Sequence, residues 1–126
     1  MSHYRHRTDA SAKAIAAAFR ALGCSVLAIS SNVKGSPDFV VGCAGSDRMV
    51  EAKPSRLQAQ SKAQTLPRAS QVEFHAAWKG ARIPVVHDAK EVAELVSLWR
   101  LEAANADRAA LLLKRELDET VRRTYG

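Results

Sequence analysis

Two carboxylates thirteen residues apart bracket a short hairpin, and this constrains the chain more than any other feature. Phe39 to Val41 reads as a strand buried on both faces, Gly42 to Asp47 as turn chemistry, and Arg48 to Lys53 as a strand paired with the first. Pro37 pushes Ser36 into extended geometry, so Asp38 stands at the mouth of the first strand. If the two strands pair, Asp38 and Glu51 converge at one end of a sheet. Glu51 and Lys53 are two apart and share a strand face, and the backbone carbonyl of Ala52 between them can turn toward a metal. Two carboxylates, a carbonyl and waters form a hard oxygen set of the kind Mg²⁺ prefers. A lysine beside them can orient or deprotonate an attacking water, or stabilise charge developing on a phosphate. The competing readings are a turn aspartate after Pro37 and a solvated strand edge at Glu51 and Lys53. Met49 and Val50 favour a buried strand.

Around this hairpin the pattern is α/β. A helix is expected from Asp9 to Leu22, with Ile15, Phe19 and Leu22 on one face and Gly23 as its stop. Ser25 to Ile29 is a short apolar run suited to a strand. Pro54 to Ala69 is polar, rich in Gln, Ser and Lys, and reads as a mobile loop. Ser70 and Glu73 have capping-box spacing ahead of a helix ending at Trp78, and Ile83 to His87 is a fourth strand, with His87 at its exit into a loop. Asp88 and Glu91 repeat the box and open a long helix. The order helix, three strands, helix, strand, helix indicates a small central mixed β-sheet flanked by helices, plus the long C-terminal helix. At 126 residues the chain suits one domain, with a core over 1–88 and a helical extension over 89–126.

Charge points to a polyanionic partner. The net charge is +6, yet residues 89–126 carry seven basic and seven acidic side chains, so the whole excess lies in residues 1–88. It is densest over residues 52–72, where Lys53, Arg56, Lys62 and Arg68 occur with no acid. Nucleic acid is the first candidate, with a merely soluble basic surface as the alternative. A hydrophobic fraction of 47% with 25% charged residues excludes a disordered or collagen-like chain. No apolar run approaches the roughly 20 residues of a membrane span, and the basic N-terminus lacks the apolar core of a signal peptide. Cys24 and Cys43 give neither a disulfide framework nor, with the scattered histidines, zinc spacing, so a reducing cytoplasm is the expected setting.

Pro37-Asp38 followed by Glu51-Ala52-Lys53 resembles the PD-(D/E)XK nuclease signature. Gly35 to Gly42 (GSPDFVVG), Val50 to Lys53 (VEAK), Gln71 to Trp78 (QVEFHAAW) and the following IPVV strand resemble the VRR-NUC branch and its phage-encoded, Holliday-junction-resolvase-like relatives. The resemblance spans about Asp9 to Leu95. It implies a restriction-endonuclease-like core and a Mg²⁺- or Mn²⁺-dependent DNA endonuclease, with four-way junctions among its candidate substrates. Asp38 and Glu51 would be metal ligands, Lys53 the catalytic lysine and Gln71 an active-site polar residue. Lys34, Arg56, Lys62, Arg68 and His75 are the candidate DNA contacts; the competing readings are a first-turn helix residue at Gln71 and a structural histidine at His75. The fold often carries an acid on its first helix, where this chain has Ser11-Ala12-Lys13-Ala14. Asp9 either replaces that acid at the metal or is a helix-start residue favoured by the dipole. The missing acid keeps open a second class, a nucleic-acid-binding module that retains the fold without turnover. Trp78 and Trp99 are expected in a core or an interface.

The C-terminal helix adds a partner of its own. Val92, Val96, Trp99, Ala103, Ala106, Ala110, Leu113 and Leu117 follow alternating steps of four and three, a heptad seam weakened by its alanines. From Ala89 to Leu117 the helix would run about 45 Å, too far to stay on a domain of this size. A projecting apolar seam implies a homodimer through this helix. A break near Asn105, folding the distal half back, is the monomeric alternative.

Overall fold

Ile15 and Phe19 recur at helical spacing, and in the computed structural model, which describes residues 9–126, they are fully buried on α1 (Asp9–Ala21). Gly23 ends this helix in the left-handed region at φ 86°, and the chain turns into β1 (Ser25–Ala28). A loop through Gly35 leads to β2 (Phe39–Cys43), and a tight turn through Ala44 and Gly45, both at positive φ, leads to β3 (Ser46–Ala52). After a long connection come α2 (Ala69–Ala77), β4 (Val85–Val86) and α3 (Ala89–Tyr125). The strand order is β1-β2-β3-β4, antiparallel across the first three and parallel between β3 and β4. The mixed α/β architecture is therefore as expected from the sequence.

One core fixes the frame. Ile15, Ala16 and Phe19 of α1 meet Val92, Val96 and Trp99 of α3 over Phe39, Val41, Val50 and Val86 of the sheet. Phe19 and Trp99 stack with ring centroids 5.9 Å apart, and the Arg48 guanidinium lies 5.4 Å above the Trp99 ring while pairing with Glu102 at 3.0 Å. Burying such aromatic pairs contributes area and a further ~1 kcal/mol from ring geometry. Val50 points into this core, so strand alternation turns Glu51 to the opposite face, toward α2.

Several local expectations are corrected. β2 is buried on one face only, with Phe39 and Val41 inward and Val40 half-buried, because β1 outside it is an edge strand whose Leu27 is exposed. The fourth strand shrinks to two residues, Val85 and Val86, since Pro84 has no amide to donate. α2 begins two residues early: its N-cap is Arg68, whose amide donates to Gln71 Oε1 at 2.7 Å, and Ser70 and Glu73 do not make the box. Trp78 leaves the core and stacks on Phe74 at 5.8 Å, 47% exposed. The segment read as a mobile loop contains a 3₁₀ turn, Lys62–Thr65, with Thr65 buried. No break occurs near Asn105: α3 is one continuous helix of 37 residues, about 55 Å long. Its buried residues end at Trp99, while Leu113 and Leu117 are each 57% exposed.

Candidate active site

The site is assembled by the ends of β2, β3 and β4. The Glu51 and Lys53 amides donate to β4, to the Pro84 carbonyl at 2.9 Å and the Val86 carbonyl at 3.0 Å. The Ala52 amide and carbonyl then leave the strand on the other edge, where Asp38 stands. There the Ala52 amide donates to Asp38 Oδ2 at 2.8 Å, locking the aspartate to β3 across fourteen residues of chain. Hairpin and carboxylates thus converge as the sequence spacing predicts.

Glu51 is 1% exposed, and its carboxyl is pushed up to about 9 by burial first, then by the hydrogen bond and charge of Asp38. Lys53 and Arg68 pull it back down only in part. Lys53, on the same strand face, is itself depressed by burial, with Glu51 and Asp38 opposing. Two acids sharing a desolvated site, one of them protonated, is the arrangement a cation relieves, because a bound metal inverts the local preference for the neutral form.

Glu51 Oε1 is buried without a hydrogen-bond partner, so its acceptor capacity is unspent in this fold. Among the described residues no three His, Cys, Asp or Glu side chains converge as a metal cage. The oxygen donors present are two carboxylates and the Ala52 carbonyl, which suits a cation that keeps most of its waters. The donor set fits Mg²⁺ or Mn²⁺. The Asp9 side chain lies outside the described residues, as does the basic arm before it.

The remaining candidates divide. Arg68 sits close enough to act on both Glu51 and Lys53 through its charge. Arg56 is exposed and reaches the Ala59 carbonyl at 3.4 Å, and Lys34 and Lys62 are exposed on flanking loops. Gln71 is occupied in capping α2 rather than pointing at the carboxylates. His75, one turn further along α2, is turned inward: its side chain is 17% exposed and Nε2 lies 3.6 Å from Glu51 Oε1.

His87 does more than leave a strand. Its Nδ1 meets the Glu91 carboxylate at 2.9 Å and its Nε2 the Thr65 carbonyl at 2.8 Å. Burial opposes its charge, but the Thr65 carbonyl, Glu91 and Asp88 together raise its pKa above the usual histidine range. The His87 ring therefore ties the connection after Lys53 to the start of α3. The i, i+4 spacing of His87 and Glu91 is the sequence signal for half of this link.

No protein-family model matches the sequence, and no curated protein matches it. Among solved structures, a VRR_NUC domain aligns at 29% identity with a TM-score of 0.52, covering 68% of this chain and 88% of that domain. The chain has a VRR-NUC nuclease-like fold, and the likeness supports a nuclease-type function. No described helix is long and apolar enough to cross a membrane.

Proposed function

We propose that this chain is a metal-dependent endonuclease that hydrolyses phosphodiester bonds in DNA, with branched DNA such as four-way junctions as its substrate class. The observation that carries this reading is the convergence of Asp38, Glu51 and the Ala52 carbonyl on one sheet edge beside a desolvated lysine. Asp38, Glu51 and the carbonyl would hold Mg²⁺, with Mn²⁺ as a substitute. When bound, that ion supplies a Lewis acid for the scissile phosphate and lowers the pKa of a coordinated water. Lys53, held on the same strand face as Glu51, orients the water and offsets charge building on the phosphate. Arg68 adds positive charge at the entrance. The neighbouring alternative, a binding module without turnover, is favoured only by the acid-free Ser11 to Ala14 stretch of α1. Nicking of supercoiled plasmid with Mg²⁺, abolished by EDTA, is the expected result; DNA binding with no nicking in Mg²⁺ or Mn²⁺ would support the alternative. The expected setting is the cytoplasm.

DNA contact is assigned to Lys34 and to the acid-free connection bearing Arg56, Lys62 and Arg68. Neutralising the last three together is expected to flatten the slope of log affinity against log salt by up to about 2–3 units, at ~0.9 for each phosphate no longer neutralised. An unchanged slope would make their charge incidental.

The protein is further proposed to be a homodimer through α3, whose Leu113 and Leu117 project into solvent beyond the core. Exposed apolar stripes of this length are where partners dock, and a two-fold pair would bring two active sites to one DNA. Light scattering at tens of micromolar should give a dimer mass for the full chain. The double variant Leu113→Glu, Leu117→Glu should give a monomer. A monomeric mass for the unaltered chain removes both the dimer and paired incision.

A further inference from the structure

The α2 residue that reaches the carboxylates is His75. Gln71, one turn earlier on the same helix face, spends its side-chain oxygen on the Arg68 amide at 2.7 Å. His75 Nε2 and Glu51 Oε1 face each other at 3.6 Å, and both atoms are sealed from solvent with no hydrogen-bond partner. Two such orphans facing each other are uncommon, because a buried donor or acceptor without a partner costs about 1–3 kcal/mol. Among the described residues no other group bonds to either atom. The separation is about 0.6 Å beyond an ordinary N–H···O bond. Pairs of this kind at active sites tighten when ligand arrives.

We propose that His75 is a positioning residue for Glu51: its Nε2–H donates to Oε1 and holds the carboxylate in register with Asp38 and the Ala52 carbonyl. This rests on the metal-site reading above and deepens it, since it assigns the support of a metal ligand to α2. The strand supplies the physical basis. Glu51 is anchored by its backbone bond to Pro84 on one side only, and its side chain has no other clamp on the Oε1 side. Carboxylates that ligate metals are themselves held by hydrogen bonds from outer residues, and loss of such a partner weakens metal binding roughly 10- to 100-fold. It also separates the labour on α2: Gln71 caps the helix and thereby sets its start, and His75 uses that placement.

The test is Mn²⁺ binding to the full-length protein by calorimetry, with wild type, His75→Leu, His75→Gln and Glu51→Ala. His75→Leu keeps the buried volume and removes the donor, so its melting temperature should equal or exceed that of wild type. Its Mn²⁺ affinity should fall at least ~10-fold. His75→Gln places an amide N–H near the position of Nε2 and should recover most of the loss, a rescue that a purely structural role would not show. Pulsed EPR on the bound Mn²⁺ should show no nitrogen coupling from an imidazole. His75→Leu binding as well as wild type, or His75→Gln as weakly as His75→Leu, would overturn the proposal. A nitrogen coupling would also overturn it, by making His75 a direct ligand. If wild type binds no Mn²⁺, or Glu51→Ala binds it equally well, the metal site itself is wrong; intact Glu51-dependent binding with an inert His75 removes only this inference.

Discussion

Alanine at Asp38 or Glu51 is expected to abolish Mg²⁺-dependent cleavage while leaving the fold and most DNA affinity in place, and Lys53→Ala to lower the rate about 10²- to 10³-fold. The basis is that these groups sit at the ends of strands whose cohesion comes from Val41, Val50 and Val86 on the other face. Glu51 also carries a signature in stability. Its carboxyl has a normal value of 4.5 and is raised to about 9 in the fold. Between those values the folded state binds more protons than the unfolded chain, so metal-free stability falls as pH rises from about 4.5 to about 9. Glu51→Gln has no such proton to lose. At pH 8 without metal it should melt above wild type, with the advantage vanishing near pH 4. Thermal melts across this range in EDTA, beside plasmid nicking in Mg²⁺, check both halves. Full activity in Glu51→Ala would end the assignment of catalysis to this site.

The second large effect is predicted at Gly35. It lies at φ 84°, and a Cβ there would sit 2.1 Å from the Ser70 carbonyl oxygen. Backbone meets backbone, so no rotamer change relieves the clash: the loop carrying Asp38 or the start of α2 must move. Gly35→Ala should cost more than about 2 kcal/mol, combining left-handed strain with the displacement, or roughly 8 °C in melting temperature. It should also reduce nicking, because the same shift separates Glu51 from α2. Gly45 supplies the control. It has nearly the same φ, 83°, with nothing within 4 Å of an added Cβ. Gly45→Ala should cost about 1 kcal/mol from backbone strain alone and leave activity unchanged. Equal melting temperatures for the two variants would show that the approach to Ser70 is unimportant.

What the sequence reveals of this protein follows from range. The hairpin between Asp38 and Glu51 is legible because turn residues, strand residues and the two acids all lie within one short stretch, and alternation then fixes which side chains share a face. The heptad steps along α3 are legible for the same reason. The inward turn of His75 is not, since it depends on α2 docking against β3, and nothing local distinguishes an inward histidine from a surface one. Gln71 misleads in the opposite direction: its position relative to the helix start decides whether it caps or catalyses, and helix starts are set to within only a residue or two by pattern. His87 joins Thr65, 22 residues earlier, through a hydrogen bond that no periodicity encodes. Trp78 reads as a core or interface residue, yet its ring stacks on Phe74 of α2 and stays 47% exposed.

The long helix α3 changes character at Trp99 without any break in its hydrogen bonding. Up to that point one face, Val92, Val96 and Trp99, packs on α1 and the sheet, and amide hydrogens there are expected to exchange slowly. Beyond it, the turns bearing Leu111 to Tyr125 are held by local pairs such as Glu119 with Arg123 at 3.1 Å, each contributing a few tenths of a kcal/mol. In a lone molecule those turns fray from the C-terminus, and the exchange rate along one uninterrupted helix climbs by orders of magnitude past Glu102. A second copy laid along the distal half would erase that step. The helix therefore records the state of assembly in its own amide protection, residue by residue, independently of whether any DNA is cut.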